Sequence, residues 1–128
     1  ELTILNAERF AISTEVSEQN RINKVFNYVK NNFQQPIPLE TVSSLSGMTE
    51  PSFCRYFKKT TSKTFTQFVN EYRLVHASKL LAEKEMAISD IAFEAGFQNV
   101  SHFTRLFKTF TGMSPSAYRH EMRNVIST

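Results

Sequence analysis

The sequence predicts an all-α domain of seven helices, and three observations support this prediction. Apolar residues recur at the spacing of a helix from Asn20 onward. The 128 residues include only three glycines and four prolines, too few for the many turns of a β-sandwich or barrel. A motif in the first half of the chain also recurs in the second half. The length suits one domain, and the 41% apolar content is that of a globular protein.

Helix-end signals and apolar spacing define the first three predicted helices. The first begins at about Asn20 and must end before Pro36, because proline cannot continue a helix. The second is short and ends at Gly47, a residue type that adopts the left-handed conformation common after helices. Thr49 is the predicted N-cap of the third helix. The apolar faces comprise Ile22, Val25, Phe26, Val29 and Phe33, then Leu39, Val42 and Leu45, then Phe53 and Phe57.

The remaining four helices are predicted by the same signals. Their expected bounds are Thr64 to Lys84 for the fourth, Ile88 to Gly96 for the fifth, an N-cap at Asn99 for the sixth, and Ser114–Pro115 to about Arg123 for the seventh. The apolar residues are Phe65, Phe68, Val69, Tyr72, Val75 and Leu80 in the fourth, Ile88, Ile91, Ala92 and Ala95 in the fifth, and Phe103, Phe107 and Phe110 in the sixth. We expect the phenylalanines of the third and sixth helices to form core and not to stack on nucleic-acid bases.

Residues 1–18 do not continue the amphipathic pattern, although Leu2, Leu5, Phe10 and Ile12 could form a short helix. We interpret them as a linker or as the tail of a preceding domain, with a disordered extension as the alternative. The chain begins at Glu1 and not at Met, which favours a fragment of a longer protein. The folded domain is then residues 19–128, with subdomains at about 19–63 and 85–124 and a connecting helix at about 64–84.

The chain nearly repeats itself, once in each predicted subdomain. Leu39-x-x-Val42-x-x-x-x-Gly47 matches Ile88-x-x-Ile91-x-x-x-x-Gly96 at an offset of 49. The pattern F-x-R-x-F-K then begins at Phe53 and again at Phe103, an offset of 50. Each copy is a short helix, a glycine turn and a second helix, which is the arrangement of a helix-turn-helix. The sequence therefore predicts two helix-turn-helix subdomains joined by the long fourth helix.

The distribution of charge favours an anionic partner. The net charge is +3, and residues 1–20 contribute −3, so the remainder carries +6. Two basic clusters without acidic residues lie near the two repeats. They consist of Arg55, Lys58, Lys59 and Lys63, and of Arg105, Lys108 and Arg119. A single partner that contacts both clusters is expected to be negatively charged.

The second helix of each repeat carries chemistry that suits DNA. Arg55 and Arg105 follow the first phenylalanine of the pattern by two residues, about 200° around the helix, so they point away from the core. An arginine fork can bind O6 and N7 of guanine in the major groove. Lys58 and Lys108 lie further along the same exposed side and suit phosphates. The alternative, an ordinary solvated helix face, becomes less favourable because both copies carry the same pattern.

The segment Arg21–Arg123 resembles the DNA-binding domain of AraC/XylS-type bacterial transcription regulators. The resemblance is carried by ISDIAFEAGFQNVSHFTRLFKTFTGMSPSAYR and by the earlier LETVSSLSGMTEPSFCRYFKKTTSKTFTQFVNEYR. It implies seven helices in two homeodomain-like helix-turn-helix units joined by a long helix. It also implies base-reading positions, which in this chain are Pro51, Cys54, Arg55, Ser101, His102 and Arg105. Pro51 and Cys54 depart from the long polar side chains of the family, so Arg55 is expected to do most of the first unit's reading.

A second set of residues beside these positions is expected to contact phosphates: Ser52, Lys58, Lys59, Thr104 and Lys108. The expected partner is double-stranded DNA, without a cofactor. The resemblance also implies that members contact RNA polymerase, that a separate N-terminal domain senses an effector or dimerises, and that the protein acts at the nucleoid in the bacterial cytoplasm.

Other functions find less support in the sequence. No G-x-S-x-G, H-E-x-x-H or P-loop motif occurs, so we expect no enzyme. One cysteine and three scattered histidines lack the spacing of a metal site, and no apolar run is long enough to span a membrane. Cys54 as a redox sensor and His102 as a pH switch are minor alternatives. The main alternative is a helical protein-interaction module that binds an acidic partner without DNA sequence specificity.

Overall fold

The computed structural model describes the backbone of residues 2–127 and the side chains of residues 16–125. This part of the chain contains seven helices and no strand. The helices are α1 (Leu2–Asn32), α2 (Leu39–Leu45), α3 (Glu50–Thr61), α4 (Phe65–Glu83), α5 (Ile88–Glu94), α6 (Val100–Thr111) and α7 (Pro115–Ser127). The predicted all-α fold of seven helices is therefore confirmed.

Side-chain caps begin four of these helices at the residues that the sequence indicated, and in α7 the hydroxyl of Ser114 accepts the backbone N–H of Ala117 at 3.1 Å. Thr49 accepts a hydrogen bond from the backbone N–H of Ser52, and Asn99 accepts one from that of His102. Thr64 and Gln67 form a reciprocal capping box at the start of α4, in which each side chain accepts from the other residue's backbone N–H. Local chemistry alone therefore sets where α3, α4 and α6 begin.

The first helix differs from the prediction, because it begins at Leu2 and not near Asn20. Residues 2–20 contain no glycine or proline, and alanine, leucine, glutamate and arginine among them favour helix. The backbone can therefore stay helical although the amphipathic pattern is weak there. The assignment of residues 1–18 to a linker or to the tail of another domain stays a prediction, and the side chains of residues 1–15 lie outside the described part.

Two separate hydrophobic cores share α4. The first core joins α1, α2 and α3 to the N-terminal half of α4 through Phe65 and Val69. The second joins α5, α6 and α7 to the C-terminal half of the same helix through Leu74, Ala77 and Leu81. Each core is centred on a helix-turn-helix, so α4 is the structural connection that the sequence predicted.

The phenylalanine prediction is confirmed for four rings and wrong for one. Phe53, Phe57, Phe103 and Phe107 are fully buried. Phe110, which was expected to be core, keeps 47% of its surface exposed. It lies in the last turn of α6, beyond the reach of the second core, and borders a surface groove with Val75 and His76. The equivalent position of the first unit, fifty residues earlier, is the exposed polar residue Thr60.

The two helix-turn-helix turns have the same backbone geometry. Gly47 and Gly96 both adopt positive φ angles, +70° and +105°. In each turn the next residue donates its N–H to a carbonyl five residues earlier, from Met48 to Ser43 at 2.9 Å and from Phe97 to Ala92 at 2.9 Å. These are Schellman-type helix ends, and they confirm the turns predicted from glycine.

Candidate nucleic-acid interface

The second helix of the first unit, α3, presents the predicted side chains to solvent. Pro51, Cys54 and Arg55 are exposed, while Phe53 and Phe57 are buried on the opposite face. The two lysines expected to contact phosphates, Lys58 and Lys59, are exposed in the last turn of the helix. Ser52 is half-buried, and its Oγ lies 3.5 Å from Nη2 of Arg55, a distance at which the arginine is only weakly held. The exposed face of α3 therefore carries small side chains near its N-terminus and basic side chains further along.

The second helix of the other unit, α6, has the same arrangement. Ser101, His102, Arg105 and Lys108 are exposed, opposite the buried rings of the second core. The Asn99 carboxamide accepts the backbone N–H of His102 at 2.9 Å, which holds the first turn of α6 where Ser101 and His102 project. The His102 ring lies edge-on to Phe97, with 6.3 Å between ring centroids.

Thr104 is less available than the sequence suggested. It is half-buried, and its hydroxyl donates to the carbonyl of Val100 at 2.9 Å. A phosphate accepts hydrogen bonds only, so Thr104 must release this bond before its hydroxyl can donate to DNA. The exposed side chain of Lys108 requires no such rearrangement.

Two adjoining clefts connect the exposed faces of α3 and α6. The first is bordered by Cys54, Arg55, Lys58 and Lys59 on one side. It shares Ile37, Phe65 and Thr66 with a second cleft, which extends to His102 at the start of α6. The structure therefore brings predicted residues of both units to the same side of the molecule, where one extended partner can reach both.

Besides Arg73, three polar residues that the sequence analysis did not select line the second cleft: Thr66, Asn70 and Gln98. Thr66 and Asn70 are four residues apart and therefore share one face of α4. The sequence could have indicated this face, because Phe65 and Val69 have the same spacing and belong to the first core. The residues that directly follow them, Thr66 and Asn70, therefore lie together at the edge of that core. These polar groups extend the candidate interface across the connecting helix.

In each of the two basic clusters, one cation has partners within the protein itself. Lys63 forms an ion pair with Glu71 of α4. Arg119 is half-buried and donates to the carbonyl oxygens of Leu81, Lys84 and Met86, the last at 2.6 Å. Both belong to the basic clusters that the sequence analysis assigned to an anionic partner, and each already has partners within its own fold.

Apart from Arg55, whose Nη2 lies 3.5 Å from the Ser52 hydroxyl, the other predicted cations are free of such contacts in the described part of the chain. Lys58, Lys59 and Lys108 have no ion pair or side-chain hydrogen bond among residues 16–125, and neither has the guanidinium of Arg105. Folding therefore does not satisfy these charges, and they are available to a ligand. A negatively charged partner would make its most favourable electrostatic interactions at these positions.

Neither a metal site nor a membrane span is found in the described residues. No group of three or more histidine, cysteine, aspartate or glutamate side chains lies close enough to hold a metal ion there. Among the described helices, none is long and apolar enough to cross a bilayer. The exposed thiol of Cys54 stands alone on α3.

Comparison with known proteins agrees with this geometry. A family model described as a helix-turn-helix domain matches residues 42–121. The transcriptional activator RhaR of Escherichia coli is 28% identical over 119 residues, which are 91% of this chain and 42% of RhaR. The chain spans less than half the length of the curated relatives it matches first.

Solved structures show the same fold. A probable AraC family transcriptional regulator from Rhodopseudomonas palustris has a TM-score of 0.74 and 26% identity, covering 81% of this chain and 98% of that one. The DNA-binding domain of the transcription factor AdpA, solved with a target DNA, has a TM-score of 0.75 and covers 81% of this chain and 93% of its own. At 23% identity, the likeness to AdpA concerns the fold alone.

Proposed function

Because this chain belongs to the AraC-type helix-turn-helix family of transcription regulators, we propose that it binds double-stranded DNA at a specific sequence through both of its units. In this proposal α3 and α6 enter successive major grooves on one face of the duplex. The observation that carries it is the position of the two exposed helix faces, which border adjoining clefts on the same side of the molecule. AdpA, with a similar fold, was solved with a target DNA, which is consistent with this use of the fold.

The two arginines are the proposed main readers of sequence. Arg55 and Arg105 are exposed on α3 and α6, and each can donate two parallel hydrogen bonds to one guanine. Ser101 and His102 add hydrogen-bonding groups beside Arg105, whereas Pro51 and Cys54 offer few beside Arg55. The second unit is therefore proposed to read more bases than the first.

The lysines are the proposed source of affinity without sequence preference. Lys58, Lys59 and Lys108 are exposed beyond the reading positions and suit the phosphates that flank a major groove. Ser52 and Thr104 are proposed as weaker phosphate contacts, because both hydroxyls have partners within their own helices. The activity proposed for the chain is binding, not catalysis.

The proposal for the whole protein goes beyond this domain. The curated relatives are more than twice as long as the matched region. We propose that this chain likewise acts beside a domain that senses an effector or dimerises, in the bacterial cytoplasm, and that the bound regulator contacts RNA polymerase. These partners rest on the family and not on a surface of this chain.

Selection from a pool of random duplexes tests the proposal. We expect the protein to enrich duplexes with two short base-specific blocks about one helical turn apart. Binding to a selected duplex and to a scrambled duplex is then compared across salt concentrations. An acidic-protein module without sequence specificity would enrich no motif and would bind both duplexes equally, and that result would contradict the proposal.

A further inference from the structure

The two units touch each other at a second place besides α4. The contact, here called the joint, brings the loop after α1 against the turn between α5 and α6. Nε2 of Gln34 donates to the carbonyl of Glu94 at 3.0 Å, across sixty residues of sequence. A Cβ added to Gly96 would lie 2.3 Å from the carbonyl oxygen of Phe33, which is closer than atoms can approach. The backbones of the two units are therefore in direct contact at the joint.

Arg73, near the middle of α4, holds the first unit's side of the joint. Its Nε donates to the carbonyl of Phe33 at 2.7 Å and its Nη2 to that of Gln35 at 2.9 Å. The same Nε would be 2.8 Å from a Cβ at Gly96, so the guanidinium also borders the second unit. The pKa of Arg73 is lowered from its ordinary value because burial partly removes the charge from water. The planar guanidinium has several N–H donors in a fixed geometry, so it can hold both carbonyl groups at once.

Comparison of equivalent residues in the two repeats shows which contacts of the joint are not required for the fold of one unit. Arg123 of α7 lies fifty residues after Arg73, and its Nη2 likewise donates to a carbonyl of the loop before its own unit, that of Lys84, at 3.1 Å. Gly47 lies forty-nine residues before Gly96, and a Cβ there would meet nothing within 4 Å. Each unit therefore has its arginine and its glycine turn, but only Arg73 and Gly96 face the other unit.

A single helix is a weak constraint on the angle between two separate cores, because long helices bend. One additional base pair between two binding blocks moves the second block by about 3.4 Å and turns it by about 34° around the duplex axis. If the connection between the two units could bend or rotate by this amount, the protein would bind duplexes with several different spacings between the blocks. A second contact away from the helix axis resists both rotation and bending.

We propose that the joint fixes the position of α6 relative to α3 and thereby sets the number of base pairs that the protein accepts between its two blocks. Arg73 is the positioning residue, acting through the carbonyls of Phe33 and Gln35 and not through DNA. The proposal rests on two-unit DNA binding as proposed above, and adds that spacing, as well as base identity, is recognised.

The test compares duplexes that differ only in spacing. The probes are a duplex selected by the unmodified protein and versions of it with one base pair inserted or removed between the blocks. The measured quantity is the ratio of the dissociation constants for altered and selected spacing. The variants are Arg73→Gln and Gln34→Ala, with Arg123→Gln as the matched control, since it also removes one charge and an arginine bond to a loop carbonyl. Thermal unfolding of each variant is measured alongside.

We expect the unmodified protein to bind the altered spacing about tenfold more weakly, the size of effect that one lost base contact produces. In Arg73→Gln the ratio should fall to about threefold or less, and in Gln34→Ala to an intermediate value. Arg123→Gln should keep the ratio of the unmodified protein. A purely structural role of Arg73 would weaken binding to all the duplexes alike and leave the ratio unchanged.

Two results overturn the inference. One is a folded Arg73→Gln protein that retains the original ratio, and the other is an unmodified protein that binds all spacings equally well through both blocks. If Arg73→Gln does not fold, an unchanged ratio in Gln34→Ala is decisive against it. Failure of the proposed function is a different outcome, because the unmodified protein would then select no two-block duplex at all.

Discussion

Arginine and lysine occupy different places on α3 and α6, and their side chains suit different parts of DNA. Arg55 and Arg105 lie beside the first turns, nearest to where base edges would be, while Lys58 and Lys108 lie a turn later. A guanidinium can identify guanine through two directed bonds, whereas an ammonium group contacts a phosphate without regard to sequence. Substitution of each should therefore have a different signature.

Arg105→Ala should weaken binding to the selected duplex by about 1–3 kcal/mol and relax preference at one base position. Lys108→Ala should weaken binding to every duplex alike and reduce the slope of log affinity against log salt by about one. Titrations of selected and scrambled duplexes at several salt concentrations measure both effects. Equal losses on both duplexes for Arg105→Ala would remove it from the base-reading set.

Phe107→Ala and Phe110→Ala form a matched pair on α6. Phe107 is fully buried, so its loss should leave a cavity and lower the free energy of unfolding by about 3–5 kcal/mol. Phe110 keeps 47% of its surface exposed, so its loss should cost about 1 kcal/mol or less. Phe57→Ala should match Phe107→Ala, because that ring is equally buried. Denaturant unfolding provides the values, and a stable Phe107→Ala protein without DNA affinity would instead identify that ring as a contact.

At the scale of elements, each unit is specified mostly by local signals at helix ends. The caps at Thr49, Thr64 and Asn99 determine where α3, α4 and α6 begin. The glycine turns at Gly47 and Gly96 determine where the two short helices end. The connecting helix has the most complete cap, since it alone among these three has both halves of the capping box.

Thr64→Ala should therefore lower the free energy of unfolding by about 1 kcal/mol, because the N–H of Gln67 loses the hydroxyl that accepts it at 3.1 Å. Thr66→Ala is the control, since its exposed side chain makes no such bond, and its effect should stay within about 0.5 kcal/mol. Thermal or urea unfolding distinguishes them. Equal effects of the two substitutions would show that the cap adds nothing to stability.

For the whole molecule, the length of α4 limits how the two units can bind. Its 19 residues span about 28 Å, somewhat less than the roughly 34 Å between successive major grooves. We therefore expect the DNA to bend toward the protein, at a cost on the order of 1–6 kcal/mol, or one unit to dock incompletely. Contacts from Lys58, Lys59 and Lys108 to phosphates would offset that cost.

Insertion of five base pairs between the two blocks should abolish simultaneous binding by both units. Half a helical turn places the second block on the opposite face of the duplex, where α6 cannot reach it. Footprinting should then show one protected block in place of two, with reduced affinity. Unchanged affinity after this insertion would mean that only one unit reads bases.

Apart from the start of α1, the sequence by itself determined the seven helices, where they begin and end, and the two faces of α3 and α6. Helical periodicity separates buried rings from exposed arginines within one helix, and caps and glycines act over a few residues. Buried Phe53 and exposed Arg55 could therefore be predicted without knowledge of the fold. The repeat extended the same reasoning to Phe103 and Arg105.

Only the tertiary structure decided which polar groups remain free and how the units face each other. Lys63 and Arg119 looked available until the fold brought Glu71 and three carbonyl oxygens to them. The joint unites Gln34 with Glu94, whose proximity depends on the path of α4 and not on any local pattern. The physical reason is that periodicity describes one helix at a time, whereas contacts between distant segments depend on how all the helices pack.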